Sequence, residues 1–314
     1  MNYIYYLSVF VFLLVLQLLY FKIADKFNII DKPNERSSHT KITLRGGGVV
    51  FYFGAIIAFF LTRFQYPFFI AGLSMIAAVS FADDVSPLSS KLRLPVHFGA
   101  MALMFYEWGL FSQPWYFFVL ALVLSVGIVN AYNFMDGING ITGAYSVSVL
   151  FALLFVNNYV QDFVDNGLII CMLLAVMVFN YYNFRKKARC FAGDVGSVTI
   201  AFFIVFLLGK LIITTGNFTY ILFLGVYGVD SVLTILHRIK LKENIFDAHR
   251  KHAYQLMANE LRIPHLAVSA FYGVLQLILS LAAIYDYCIA IALTVLLGIC
   301  YLLFMRKYFH LHNY

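Results

Sequence analysis

The segment "WYFFVLALVLSVGIVNAYNFMDGING", Trp115–Gly140, decides the architecture. From Trp115 to Val129 it holds no charged residue, and Asn130, Asn133, Asp136 and Asn139 then crowd its end. A helix needs roughly 20 mainly apolar residues to cross a bilayer core. Runs of this kind recur from Ile4 to Phe304. The chain is 62% hydrophobic and 12% charged, against about 25% charge in an ordinary soluble domain. It therefore reads as an all-α, polytopic integral membrane protein, one domain over residues 1–314. Outside the apolar runs no polar stretch exceeds His237–Pro264, too short for a separate soluble domain.

Spans are expected near 4–23, 47–62, 67–82, 95–111, 115–132, 141–156, 167–182, 197–213, 219–236, 265–284 and 287–305. That is about eleven, or ten with one re-entrant segment, and the runs at 47–62 and 67–82 are the weakest. The N-terminal "MNYIYYLSVFVFLLVLQLLYF" lacks a basic start and a small-residue cleavage site, so it reads as a retained first span. Cys171, Cys190, Cys288 and Cys300 show neither metal spacing nor a disulfide framework. All of the 22 lysines and arginines except Arg63 and Lys210 fall after spans 1, 3, 7 and 9 or in the tail. The positive-inside rule puts those segments in the cytoplasm and the N-terminus outside. The same rule accounts for the net charge of +7, and no nucleic-acid partner is expected.

The unusual polar segments share that face. They are "RSSHTKITLRGGG", "FADDVSPLSSKLRL", "NFMDGING", "FAGDVGSV" and "NIFDAHRKHAYQ". A transport pathway would place ionisable groups nearer the midplane. Clustering at one surface suits a soluble substrate meeting a lipid one. Asp83 and Asp84 are adjacent carboxylates at a helix end, either solvated or functional. Asp136 sits between Gly137 and the rest of a tight turn, as a cap or a ligand-facing acid. In "GDVGS" the glycines around Asp194 allow close approach, and Ser197 is placed to cap the next helix while its amides face an anion. His249 and His252, with Arg250 and Lys251, form a cationic patch suited to phosphate oxygens, or an ordinary basic loop. Arg45 opens "RGGGVV", a hinge or a glycine-rich approach to phosphate. Lys91 and Arg93 serve equally as topology markers and as ligands. Hard oxygen donors without a cysteine or histidine set point to magnesium. Magnesium with basic residues is equipment for transfer at phosphorus.

In this order and on these loops, "DKPNERSSHTKITLRGGG", "DDVSPLSSKLRL", "NAYNFMDGING", "FAGDVGS" and "DAHRKHAYQ" resemble the polyprenyl-phosphate N-acetylhexosamine-1-phosphate transferases, of the glycosyltransferase 4 type. The resemblance runs from about Asp31 to Gln255. It implies transfer of a sugar 1-phosphate, GlcNAc or a related amino sugar, from a UDP-sugar to undecaprenyl phosphate, with UMP released, in the bacterial inner membrane. It implies Asp194 as a ligand of Mg2+, with Mn2+ as a substitute. Asp83, Asp84 and Asp136 are implied as catalytic. Arg45, Lys91, Arg93, Asn130, Asn133, His249, Arg250 and His252 are implied as substrate-binding. A homodimer is compatible with it. Two departures matter. Asn139 stands where many members carry a second aspartate, and is not assigned as a ligand. "HRKH" replaces the triple histidine of the branch that transfers phospho-muramoyl-pentapeptide, and the wording looks closer to enzymes that start O-antigen or capsule units.

Three other readings compete. A secondary transporter of an anionic solute should show repeated halves and mid-span ions; no internal repeat is evident and the spans are largely uncharged, Asp230 and Lys210 being among the exceptions. A CDP-alcohol phosphotransferase should show a dense DG-x2-AR helix, which the chain lacks. An inactive scaffold should have lost some of Asp83, Asp84, Asp136 and Asp194, and all four are present.

Overall fold

The computed structural model describes residues 3–31, 42–244 and 250–308. The described residues are helical nearly throughout. Helices α1 (Tyr3–Lys26), α2 (Val49–Leu61), α3 (Pro67–Val85), α4 (Ser90–Glu107), α5 (Trp115–Met135) and α6 (Ile141–Tyr159) precede α7 (Asn166–Asn183) and α8 (Gly193–Thr215). A 3-10 segment, Phe218–Leu224, leads into α9 (Gly225–Lys240). The short α10 (Ala253–Gln255) runs on into a π turn, Leu256–Glu260, before α11 (His265–Tyr285) and α12 (Tyr287–Tyr308). The only strands among the described residues, β1 (Ile30–Asp31) and β2 (Thr43–Leu44), pair antiparallel.

Each apolar run expected to span is helical. Among the described residues nine helical stretches are long and apolar enough to cross a membrane. The two expected spans that fall short are α2, with 13 residues, and α4, which begins with Lys91, Arg93 and an internal Pro95. Helix α8 is the centre of the bundle, with 78% of its most apolar window buried, whereas α5 and α12 have 17% and face outward. Exposed leucines, valines and phenylalanines on those outer helices suit lipid, which leaves van der Waals packing to join the inner ones. Phe69 of α3 stacks on Phe206 of α8 at 3.8 Å between ring centroids. Where backbones cross closely, glycine is required: a Cβ on Gly72 would lie 2.7 Å from the Ala100 carbonyl of α4.

One boundary differs from the sequence expectation, with a consequence for the site. The span expected from residue 197 begins at Gly193, so Asp194 lies in the first turn of α8 and not in the loop before it. Ser197, expected to cap that helix, sits inside it. Its hydroxyl donates to Asn133 Oδ1 at 2.7 Å, tying α8 to the end of α5.

Candidate active site

A helix start leaves backbone N–H groups without intrahelical acceptors. At α8 the acceptor comes from another helix. Asp84, near the end of α3, accepts from the amides of Asp194 and Val195, both at 2.9 Å. Arg45 Nε donates to the same carboxylate at 2.6 Å, and the Asp84 side chain is fully buried. The anion at the α8 N-terminus is therefore the protein's own Asp84.

The glycines around it are there for space. Phe191 N donates to Leu44 O at 2.8 Å, Gly47 N to Phe191 O at 2.8 Å, and Gly48 N to Ala192 O at 3.0 Å. This lacing presses "RGGG" onto "FAGDVG" so closely that a Cβ on Gly48 would collide with Gly196 Cα. The triple glycine, expected as a hinge or as an approach to phosphate, is instead packed closely against the α8 N-terminus. Tyr20 of α1 closes the back by donating to Arg45 O at 2.6 Å.

From Asp84 the charges alternate. Arg45 reaches Asp194 Oδ1 at 3.3 Å, and Arg93 lies 3.7 Å from Asp194 Oδ2. Arg93 also binds Asp83 Oδ2 at 2.6 Å, while Asp83 Oδ1 accepts from Leu88 N at 2.6 Å. Burial works against charge on Arg45, but Asp84, Asp194 and Asp31 together hold its guanidinium above the ordinary value. Asp136 caps the end of α5 and accepts from Thr142 Oγ1 at 2.6 Å. Loss of water around it pushes its carboxyl up to about 6, against the lowering effect of that bond.

These groups meet at a polar cleft of about 320 Å³. Arg45, Asn133, Asp136 and Asp194 line it, together with Asp31, Gln255 and His265, none of which the sequence reading had singled out. Asn183 and Asn139 complete one wall. A larger groove of about 520 Å³ on α6, α7 and α11 is mainly apolar and carries no carboxylate, so it does not compete as the chemical site.

Not every expected residue stands there. Asp83, Asp84 and Arg93 adjoin the cleft through ion pairs and do not line it. Lys91 is exposed at the start of α4. Asn130 is exposed too, its amide turned back to Val126 O at 2.9 Å, because it projects from the outer face of α5. Asn139 donates to the carbonyl of Arg185 and shapes the cleft wall. His252 is buried at the N-cap of α10, and Arg250 is half-buried before it. His249 lies outside the described residues. Asp31 and Gln255 were legible as the two ends of the polar segments. Nothing in the sequence marked Asn183 or His265.

The donor chemistry fits a hard divalent cation. Asp194 and Asp136 face one cleft with the Asn133 amide. Among the described residues no three carboxylate, histidine or cysteine groups converge on one point. Magnesium suits such a sparse set, since it commonly keeps several waters and uses one or two carboxylates with substrate phosphates.

Comparison with known proteins agrees with this geometry. Residues 66–212 match the model for glycosyl transferase family 4. The chain is 28% identical over 259 residues to a probable undecaprenyl-phosphate N-acetylglucosaminyl 1-phosphate transferase of Bacillus subtilis (strain 168), covering 76% of this chain and 72% of that one. It is 26% identical over 278 residues to the undecaprenyl-phosphate alpha-N-acetylglucosaminyl 1-phosphate transferase of Salmonella typhi, covering 80% and 75%. The corresponding protein of Escherichia coli (strain K12) is 24% identical over the same length and coverage. The matched segment contains Asp83, Asp84, Asp136 and Asp194, and over it the chain is similar to glycosyl transferase family 4, as it is over most of its length to the undecaprenyl-phosphate N-acetylglucosaminyl 1-phosphate transferases.

Proposed function

We propose that this multi-pass membrane protein transfers an N-acetylhexosamine 1-phosphate from a UDP-sugar to undecaprenyl phosphate at the cytoplasmic face of the bacterial inner membrane. The lipid-linked sugar would start a cell-surface polysaccharide such as an O-antigen or capsule. The observation that carries this reading is the gathering of Asp83, Asp84, Asp136 and Asp194 with Arg45 and Arg93 at one end of the bundle. A transporter would need them along a path through it, and the mid-span Asp230 is fully occupied by protein donors.

In this reading an oxygen of the acceptor phosphate attacks the β-phosphorus of the UDP-sugar. The new O–P bond forms as the bridging P–O bond breaks, and UMP leaves with the bridging oxygen. Arg45 and Arg93 bind phosphate oxygens and offset their charge. An aspartate of the pair takes the last proton of the acceptor monoester, whose second pKa is about 6. Both carboxylates are engaged, Asp84 by the α8 amides and Arg45 and Asp83 by Leu88 N and Arg93, but Asp84 is fully buried whereas Asp83 keeps some exposure, which favours Asp83. Magnesium, held by Asp194 with Asp136 beside it, would supply further offset of the diphosphate charge. The test is purified protein with undecaprenyl phosphate, magnesium and a panel of UDP-sugars. UMP release with at least one amino sugar is expected, and none with any would end the reading.

The site also supports the expected topology. Asp84 at the end of α3 meets Arg45 just before α2, so α2 and α3 run out and back. The Asn133–Ser197 and Arg93–Asp194 contacts put the end of α5 and the start of α4 on that same face. In this reading short α2 and polar-ended α4 would be crossings, giving eleven, or ten with a re-entrant segment, with the N-terminus outside. A reporter fused after Met305 is expected to read cytoplasm; a periplasmic signal would contradict this arrangement.

A further inference from the structure

Asp230 lies in α9, a helix otherwise apolar over most of its length, and is 2% exposed. A buried carboxylate is costly unless its oxygens are met by donors. Here five donors meet it. Oδ1 accepts from Thr234 Oγ1 at 3.2 Å, His252 Nδ1 at 3.1 Å and Ala253 N at 3.1 Å. Oδ2 accepts from Tyr272 Oη at 2.7 Å and, at 3.5 Å, from Tyr254 N. Three of the five belong to the consecutive residues His252, Ala253 and Tyr254.

Those residues connect to the cleft twice. Gln255, on the cleft wall, accepts from His252 N at 3.3 Å in a capping box, so its side chain is fixed to the residue that Asp230 holds. Tyr254 donates to Phe134 O at 2.9 Å, and a Cβ on Gly137 would collide with its hydroxyl. Phe134 and Gly137 flank Asp136. One carboxylate in the bundle therefore fixes both the Gln255 wall and the brace behind the Asp136 turn.

We propose that Asp230 is a positioning residue for the nucleotide-sugar side of this cleft, acting through His252, Tyr254 and Gln255 and touching no substrate itself. The proposal rests on the transferase reading for its kinetic consequences and on geometry alone for the position of the segment. Its function is to hold an acceptor oxygen against the segment. An asparagine keeps that oxygen toward His252 and Ala253, and the Tyr272 hydroxyl can turn to accept from the new amide. An alanine keeps nothing.

The experiment compares wild type, Asp230→Asn, Asp230→Ala and Tyr254→Phe, each as the full chain purified in detergent. Asp230→Ala is expected to lower kcat/KM for the UDP-sugar by about a hundredfold, the scale of a misplaced binding group, mainly through KM. The KM for undecaprenyl phosphate should stay unchanged. Asp230→Asn should recover to within about tenfold of wild type. Tyr254→Phe removes only the hydroxyl brace and should raise the same KM several-fold with normal thermal stability, which keeps the test valid where Asp230→Ala does not fold. An Asp230→Asn as inactive as Asp230→Ala would mean that the charge acts in the chemistry and would overturn positioning. So would an Asp230→Ala loss that tracks the folded fraction with KM unchanged. Trypsin cleavage after Lys251 gives a reading independent of turnover. It should accelerate in Asp230→Ala while the rest of the chain stays resistant, and an unchanged rate would also overturn the proposal. A wild type that transfers no sugar but shows this cleavage difference would overturn the transferase reading alone.

Discussion

Asp194→Asn is expected to abolish turnover in a protein that stays folded. The two properties separate because the residue's backbone and side chain do different work. Its amide is held by Asp84 at 2.9 Å, and that bond survives the substitution, as does the Arg45–Asp84 pair. Its carboxylate faces the cleft and carries the charge between Arg45 and Arg93. An amide of the same shape cannot replace that charge at a hard cation. Losing one preorganised group that offsets charge in the transition state typically costs about 10²–10³ in rate. UMP release should fall by that factor or more, while the unfolding temperature in detergent moves by only a few degrees, within the usual effect of about 1 kcal/mol. Near-normal activity at ordinary magnesium would remove Asp194 from its proposed role as metal ligand.

The helices were legible because bilayer solvation imposes long apolar runs, and such runs survive any sequence context. Boundaries were less legible where glycine intervenes. "AGDVGS" reads as a loop by composition, yet its backbone turns into α8 directly after Gly193 because Asp84 supplies the acceptors that the segment itself lacks. That partner lies 110 residues away along the chain, so no local pattern could announce it. The same limit explains Ser197, whose local surroundings suggested a cap and whose actual partner is Asn133. Asp136 and Arg45 were legible as polar residues at the ends of apolar runs. Asp230 was visible as a charge inside a span, but its meaning lies in its bonds to His252, Ala253 and Tyr272, which come together only when α9, α10 and α11 pack. Asn130 shows the reverse. Its motif placed it with Asn133, but the helix turns it outward.

Gly193→Ala should be nearly as damaging as loss of Asp194, and for a mechanical reason. Gly193 has φ +71°, and a Cβ there would collide with Asp84 Oδ2 and lie 2.8 Å from Gly46 N. The left-handed conformation alone costs an L-residue about 1–2 kcal/mol. The collision adds a choice between two losses. If the Asp84 carboxylate moves, the amides of Asp194 and Val195 lose their acceptor, at about 1 kcal/mol for a lost cap and more where the orphaned groups stay buried. If the α8 terminus moves, Asp194 leaves the reach of Arg45 and Arg93, and the cleft loses its geometry. Either way UMP release should drop by about a hundredfold, with an unfolding temperature lowered by several degrees. Gly216, at the other end of α8, separates the two causes. It also has a positive φ, +66°, but nothing lies within 4 Å of its added Cβ. Gly216→Ala should therefore carry the conformational cost without the collision, losing some stability and keeping its kcat/KM. Equal behaviour of the two variants would mean that backbone conformation, and not the contact of Gly193 with Asp84, sets the requirement for glycine at this helix start.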